Sequence, residues 1–336
     1  MRAFRRNRSN TDIKALRERV MLGAGWDDGF ELEKTPLYDL DSVVDTDQLA
    51  TLVMRRVHGG TIAVTYVSRE YLQIGLNWVT AMHRIGWNNY IVVAGDSETE
   101  ARLSAVGVSC ILARIPEGSA QSRYLSQVGF TRRGLAMTAL KFPVVSAILR
   151  MGVDVFLSDA DATWLQDPRA SITPGADVAF QRVFYYPAAI ARRWSFAACS
   201  GFAFFRSSRR SIALIDDCIR IHRTVQSDQV ALNLALLDCG TCWMLPAGYD
   251  ESSEGDFARE QAKEFFKLAA TIPILGRTGR HRLFLFALPH NTFWRHAWVP
   301  FDPDELVLCH PNTPKEDNAK VTRCGQLGVR YWLGES

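Results

Sequence analysis

The sequence lacks several features that would assign it to a special class of protein. None of its apolar runs reaches the roughly 18 residues of a membrane-spanning helix, and no apolar segment follows the basic residues near the N-terminus as in a secretory signal. The net charge is only +3, which gives no general case for a nucleic-acid partner. Internal repeats and low-complexity tracts are also missing. The sequence therefore predicts a soluble globular chain without a membrane span.

Cysteine is scarce as well. Seven cysteines are scattered over 336 residues, which is too few for a disulfide framework in a chain of this length. Cys239-Gly240-Thr241-Cys242 has the spacing of a redox motif, but it follows a predicted helix instead of starting one. The helix N-terminus that would stabilise a thiolate is then missing. We interpret the segment as a turn between a helix and a strand.

Strand and helix patterns alternate along the first part of the chain. β-branched runs of strand length are followed by segments with apolar residues at helical spacing, and Gly86 and Gly107 end two of these segments. Such alternation favours a mostly parallel sheet with helices on both faces. The predicted fold class is therefore α/β, with residues 1–59 as a leader that packs on the core. The predicted elements are strands at 61–67, 90–94 and 109–112 and helices at 71–85 and 98–106.

The second part of the chain continues this alternation with less regular spacing. A helix is predicted at 131–151, and Pro143 inside it predicts a kink or a division into two helices. Aromatic residues at 182–194 predict a loop that lines a pocket, and 276–280 is predicted to be a turn. Further predicted strands are 153–158, 177–180, 200–205, 284–288 and 306–308, further helices are 208–223, 227–237 and one ending at Ala270, and further loops are 116–130 and 250–256.

Two carboxylates, Asp159 and Asp161, come at the end of the strand predicted at 153–158. Two residues apart on an extended chain, their side chains point to the same side. They can then share a hard cation that also holds phosphate oxygens. The carboxyl ends of strands are also where open α/β sheets bind ligands. The sequence therefore predicts a metal and phosphate site at this strand end.

Three interpretations of this segment are open. A bare Asp-x-Asp also occurs by chance in loops after strands, where its role is structural. As a functional motif, Asp159-Ala160-Asp161-Ala162-Thr163 fits both the metal site of a nucleotide-sugar transferase and the nucleophile loop of a haloacid-dehalogenase-type phosphatase. The phosphatase hypothesis is the weaker one, because two predicted strand-helix units precede Asp159 and the acidic pair Asp216-Asp217 falls inside a predicted helix.

Other segments accompany the acidic pair in a particular order along the chain. They are 71–78, 89–94, Ser158-Asp159-Ala160-Asp161 with Trp164-Leu165-Gln166-Asp167-Pro168, Cys199-Ser200-Gly201-Phe202, Ser227-Asp228-Gln229 and His310-Pro311-Asn312. Together they resemble the nucleotide-diphospho-sugar transferases of plant and algal cell walls, a family that includes arabinosyl- and xylosyltransferases. The resemblance extends from Gly60 to Gly328.

The resemblance implies a GT-A fold and sugar transfer with retention of anomeric configuration. A Rossmann-like nucleotide-binding half at 60–168 would be joined to an acceptor half at 169–328, followed by a tail at 329–336. The implied partners are a nucleotide-sugar donor, expected to be UDP-linked, and a glycan or glycoprotein acceptor. The implied compartment is the Golgi lumen.

The same resemblance assigns roles to individual residues. Asp159, Asp161 and His310 would hold Mn²⁺ or Mg²⁺, and the imidazole shifts the preference toward Mn²⁺. The predicted catalytic residues are Asp228, Gln229 and Lys141, and the predicted nucleotide-binding residues are Thr65, Tyr66, Asp96, Asp159 and Lys315, with Lys320 as the alternative to Lys315. Asp96 has a second interpretation as the N-cap of a helix. For the whole chain, an inactive sugar-binding module of the same fold is a further alternative.

Overall fold

The computed structural model describes residues 14, 17–18, 43–113, 137–225, 227–244, 259–312 and 317–329. Lys315 and the predicted loops at 116–130 and 250–256 lie outside these residues. Over the described parts of the chain, no helix has both the length and the apolar character that a membrane span needs.

The described residues contain short strands and helices that alternate over much of the chain. The strands are β1 (Thr61–Val67), β2 (Tyr90–Ala94), β3 (Cys110–Leu112), β4 (Asp154–Ser158), β5 (Thr163–Trp164), β6 (Val178–Val183), β7 (Ala197–Phe205), β8 (Thr241–Met244), β9 (Ile274–Thr278), β10 (Phe284–Ala287), β11 (Phe293–Trp294) and β12 (Leu308–Cys309). The helices are α1 (Thr46–Arg56), α2 (Leu72–Arg84), α3 (Ser97–Ala105), α4 (Lys141–Arg150), α5 (Ala188–Trp194), α6 (Arg209–Val225), α7 (Asp228–Asp238), α8 (Arg259–Leu268) and α9 (Asp317–Gln326).

Nine of these strands form one sheet in the order β3-β2-β1-β4-β7-β6-β10-β9-β8. β3, β2, β1 and β4 are parallel, whereas β7 runs antiparallel to both β4 and β6. β6 and β10 are parallel, and β9 and β8 complete that edge in antiparallel pairing. A second sheet has the order β11-β12-β5. The predicted α/β class is confirmed, and the large sheet takes strands from both sides of the predicted division at residue 168.

Strand β4 lies inside the large sheet and is buried on both faces. Val155 and Leu157 belong to the core cluster that contains helix α4. Phe156 belongs to the other cluster, where its ring centroid lies 5.3 Å from that of Trp164. A strand covered on both faces is apolar at consecutive positions instead of at alternate ones, as Val155, Phe156 and Leu157 are. The polar side chains of this segment therefore lie at the ends of β4 and beyond.

The helix that precedes β4 starts at a position that Pro143 permits. The chain is helical at 137–138, turns at 139–140 and enters helix α4 at Lys141. Pro143 thus lies in the first turn of α4. Backbone N–H groups in a first turn have no carbonyl acceptor within the helix, so the N–H that proline lacks costs no hydrogen bond. The predicted division of a longer helix is confirmed within the described residues. It places Lys141 at the start of a helix.

The aromatic loop predicted at 182–194 is wrong. Strand β6 continues to Val183, and helix α5 covers most of the remainder. Arg182 stays in the strand because its buried guanidinium donates hydrogen bonds to backbone carbonyls, including those of Ala269 and Leu288 at 2.8 Å. These acceptors are distant in the sequence, so the pattern near Arg182 shows a charge but not its partners.

The turn predicted at 276–280 is wrong for a different reason. Strand β9 occupies most of this segment and pairs with β8 on one side and β10 on the other. A Cβ on Gly276 would lie 2.4 Å from Cε3 of Trp243, which is on β8. The glycine therefore makes room for an aromatic ring within the sheet and does not mark a turn.

Candidate active site

The two predicted metal-binding carboxylates lie just beyond the end of strand β4. The hydroxyl of Ser158, the last residue of β4, accepts hydrogen bonds at 3.0 Å from the indole nitrogens of Trp78 and Trp164. The backbone nitrogen of Asp159 then donates to the carbonyl of Gly201 on β7 at 2.7 Å. These buried bonds fix the strand end that positions Asp159.

The second sheet brings His310 to the same place. Strand β12 pairs with β5, so that Cys309 lies opposite Thr163 and the next residue, His310, lies beside the acidic pair. His310 Nε2 is 3.4 Å from Asp161 Oδ1 and 3.9 Å from Asp159 Oδ2. One ligand atom from each of the three side chains lies within 4.8 Å of the others. The three residues that the sequence predicts as metal ligands are thus brought together.

Gly201 leaves the space that this cluster occupies. A Cβ at this position would lie 2.4 Å from His310 Cε1 and 2.5 Å from Asp159 Oδ2. Both distances are shorter than any non-bonded contact, so no other residue fits without displacing a candidate ligand. Two carboxylates and one imidazole form a donor set that suits Mn²⁺, and the residues present therefore fit a divalent cation.

Lys141 lies on one side of the acidic pair. Its Nζ is 2.5 Å from Asp159 Oδ1 and 2.7 Å from Asp228 Oδ2. Burial lowers the pKa of the Lys141 ammonium, but the two carboxylates outweigh this effect and raise that pKa above its usual value. Burial likewise raises the pKa of Asp228, and Lys141 outweighs it to give a net lowering. Both side chains are therefore charged at neutral pH.

Lys320, on helix α9, contacts the other carboxylate. Its ammonium forms an ion pair with Asp161 Oδ2. Burial raises the pKa of Asp161, yet Lys320 and His310 outweigh burial and hold this pKa well below its usual range. Each aspartate of the Asp-x-Asp motif thus has its own lysine. Of the two lysines considered from sequence, Lys320 lies at the acidic pair and Lys315 lies outside the described residues.

The remaining predicted site residues have different surroundings. Gln229 Nε2 donates to the carbonyl of Tyr186 at 2.5 Å, so Gln229 holds the segment between β6 and α5. The Tyr66 hydroxyl donates at 3.3 Å to the carbonyl of Lys141 and supports the start of α4. Thr65 is fully buried within β1. The Asp96 carboxylate accepts from the backbone nitrogen of Thr99 and caps helix α3, as the second interpretation predicts.

Two further side chains contact His310 and were not predicted from the sequence. Gln181 Oε1 lies 2.8 Å from His310 Nδ1, and Arg295 Nη1 lies 2.7 Å from both ring nitrogens. Gln181 directly follows the apolar run of the strand predicted at 177–180 and precedes Arg182. A glutamine flanked by Phe180 and buried in a central strand is a signal for a polar partner, but that partner is 129 residues away.

The mixed sheet and the carboxylate pair after its central strand define a nucleotide-sugar transferase architecture, consistent with a GT-A fold. The sequence matches the nucleotide-diphospho-sugar transferase family over residues 86–321, and the chain belongs to this family. Two curated relatives from Arabidopsis thaliana, arabinosyltransferase RRA1 and arabinosyltransferase RRA2, are each 29% identical to it over 158 residues. The alignments cover 41% of this chain but only 37% and 35% of the relatives' lengths.

Proposed function

We propose that this chain is a metal-dependent glycosyltransferase that moves a sugar from a UDP-linked donor to a glycan or glycoprotein acceptor with retention of anomeric configuration. The observation that carries the proposal is the convergence of Asp159, Asp161 and His310 at the end of β4. The relatives are named as arabinosyltransferases, so UDP-arabinose is the first donor to test. The proposed compartment is the Golgi lumen.

The charges around the site suit departure of a nucleoside diphosphate. Asp159, Asp161 and His310 would hold a divalent cation, which would supply positive charge where the diphosphate departs. The ammonium groups of Lys141 and Lys320, which contact the two aspartates, would attract the same phosphate oxygens. The positive charges of the site would thus stabilise the transition state in which the bond between sugar and phosphate breaks.

Asp228 and Gln229 would face the donor sugar. Asp228 is the first residue of helix α7, and Ser227 caps this helix, so the carboxylate has a fixed position. Its ionised form, held by Lys141, would stabilise positive charge that develops at the anomeric carbon. Retention can be tested directly, because proton NMR of the first-formed product shows whether its anomeric configuration equals that of the donor.

The function is tested by offering two classes of substrate to one preparation. With Mn²⁺ and no acceptor, we expect slow release of UDP from a UDP-sugar, because water replaces the acceptor as a poor nucleophile. We expect p-nitrophenyl phosphate to stay intact. Asp159→Asn and Asp161→Asn should each abolish UDP release while the protein remains folded. Asp216→Asn is the matched control, since Asp216 is half exposed and pairs with Arg150 on the surface.

Each outcome of this experiment distinguishes the hypotheses. Cleavage of the phosphate ester that is lost in Asp159→Asn, without UDP release from any nucleotide sugar, would favour a phosphatase in which Asp159 attacks phosphorus. Absence of both activities, together with nucleotide-sugar binding in thermal shift, would favour an inactive sugar-binding module. Mn²⁺-dependent UDP release that is lost in both aspartate variants supports the transferase.

A further inference from the structure

The orientation of the Gln181 amide is fixed by strand β11. Gln181 is fully buried, and its Nε2 donates to the carbonyls of Phe293 at 3.0 Å and Trp294 at 3.2 Å. Rotating the amide by 180° would place its oxygen against two carbonyl oxygens, which is repulsive. The oxygen of the amide therefore faces the other way, toward His310 Nδ1 at 2.8 Å.

This orientation decides which nitrogen of His310 carries a proton. An amide oxygen can only accept a hydrogen bond, so Nδ1 of His310 must be the donor. In the neutral imidazole the lone pair is then on Nε2. Nε2 is the nitrogen that faces Asp161 Oδ1 at 3.4 Å and Asp159 Oδ2 at 3.9 Å. In this neutral form the ring presents its lone pair to the space shared with the two carboxylates.

The contact between Arg295 and His310 is compatible with this tautomer. Arg295 Nη1 is equally distant from both ring nitrogens. The in-plane lone-pair directions of the two nitrogens diverge, so a donor equidistant from them lies along neither. Arg295 therefore does not select a tautomer, whereas Gln181 does.

We propose that Gln181 is a positioning residue for the metal site, which holds His310 in the tautomer and orientation that direct Nε2 to a divalent cation. The inference rests on the proposed metal dependence. A ligating histidine commonly donates its other ring N–H to a fixed acceptor, and loss of that acceptor weakens metal binding. The competing hypothesis is that Gln181 only ties β11 to β6, without an effect on the metal that passes through His310.

A double-mutant cycle separates these two hypotheses. We expect Gln181→Met, which keeps the length of the side chain, to weaken Mn²⁺ binding by about ten- to a hundredfold, and His310→Ala to weaken it by at least as much. In the His310→Ala background, Gln181→Met should weaken binding no further, because its effect passes through the imidazole. Electron paramagnetic resonance of free Mn²⁺ gives the affinity without any activity assay. If the affinity losses of the two single variants instead multiply in the double variant, the two side chains act independently and the proposal is overturned.

A measurement on the unmodified chain keeps the proposal testable if Gln181→Met does not fold or if His310→Ala binds too weakly. Isotope-labelled histidine and diamagnetic Cd²⁺ in place of Mn²⁺ allow long-range proton–nitrogen NMR correlations to identify the tautomer of His310. We expect the proton on Nδ1 and the metal on Nε2. The opposite assignment would overturn the role of Gln181. A chain that binds neither Mn²⁺ nor Cd²⁺ would instead overturn the proposed metal dependence itself.

Discussion

Lys141 and Asp228 are 87 residues apart in the sequence but form an ion pair with 2.7 Å between Nζ and Oδ2. Their side chains are only 6% and 10% exposed. The same ammonium contacts Asp159 at 2.5 Å. A single buried cation thus joins the start of helix α4, the start of helix α7 and the end of strand β4, so its removal should affect both folding and the site.

We predict that Lys141→Met destabilises the protein by about 3–5 kcal/mol, since it leaves two carboxylates without their buried cation. Chemical denaturation measures this loss. The double variant Lys141→Met with Asp228→Asn should recover part of it, because one uncompensated charge is removed. Arg150→Met is the control, as it breaks only the half-exposed pair with Asp216 and should lose less than about 1 kcal/mol. Equal losses in both single variants would contradict the prediction.

We predict that Gly201→Ala keeps the fold but weakens Mn²⁺ binding at least tenfold. The added methyl group would overlap His310 and Asp159, so at least one of these candidate ligands must shift from its present position. Calorimetric titration with Mn²⁺ measures the affinity. Gly279→Ala is a matched control, because its Cβ would meet only ordinary contacts, the nearest being 3.6 Å from the Cys239 carbonyl. Unchanged affinity in Gly201→Ala would place the cation elsewhere.

Local chemistry explains why much of the fold was predictable from the sequence. Strands β1, β4 and β7 are almost entirely buried and appear as runs rich in apolar residues without strict alternation. The helices α3 and α7 begin at side chains that cap them, Asp96 and Ser227. The carboxylates after β4 are adjacent to their strand in the sequence. In each case the determining interaction lies within a few residues.

The features that were not predicted depend on partners far away in the chain. Arg182 can extend β6 because carbonyls about a hundred residues later accept its hydrogen bonds. Gly276 is required by the ring of Trp243 on a neighbouring strand. Gln181 acts on His310, which arrives through the pairing of β12 with β5. In each of these cases a single sequence shows both residues but does not reveal that they are in contact.

We predict that part of the acid sensitivity of this fold comes from His296. Burial and, next, the charge of Arg295 lower its pKa to about 3, whereas the unfolded chain has the ordinary value of 6.5. Between these values the unfolded state binds more protons, so stability falls as the pH decreases through that window. The slope has an upper limit of about 1.4 kcal/mol per pH unit for this residue.

The variant His296→Gln tests this assignment. Its side-chain oxygen can still accept the hydrogen bond that His296 Nε2 receives from the backbone nitrogen of Phe184 at 3.0 Å, but it does not titrate. Unfolding free energies measured by urea from pH 7 down to pH 4 should therefore fall less steeply for the variant than for the unmodified chain. Parallel curves would show that other groups cause the acid sensitivity.

The last prediction concerns Lys320, whose ammonium is paired with the carboxylate of Asp161. This cation would compete with a metal for the carboxylate of Asp161, yet it would attract a diphosphate. We therefore predict opposite effects for Lys320→Met. Affinity for Mn²⁺ alone should stay equal or rise, since a nearby positive charge is removed, while affinity for UDP in the presence of Mn²⁺ should fall about tenfold or more.

A comparison of uridine binding with UDP binding shows whether Lys320→Met removes a contact to phosphate or disturbs the site in general. Because uridine has no phosphate, its binding should be the same in Lys320→Met and in the unmodified chain, while UDP binding falls. Lys267→Met serves as the control, because Lys267 lies on the surface of α8 and pairs with Glu264. Equal losses for uridine and UDP would mean that the substitution deforms the site. Unchanged UDP affinity would leave Lys141 and Lys315 as the lysines proposed to meet the diphosphate.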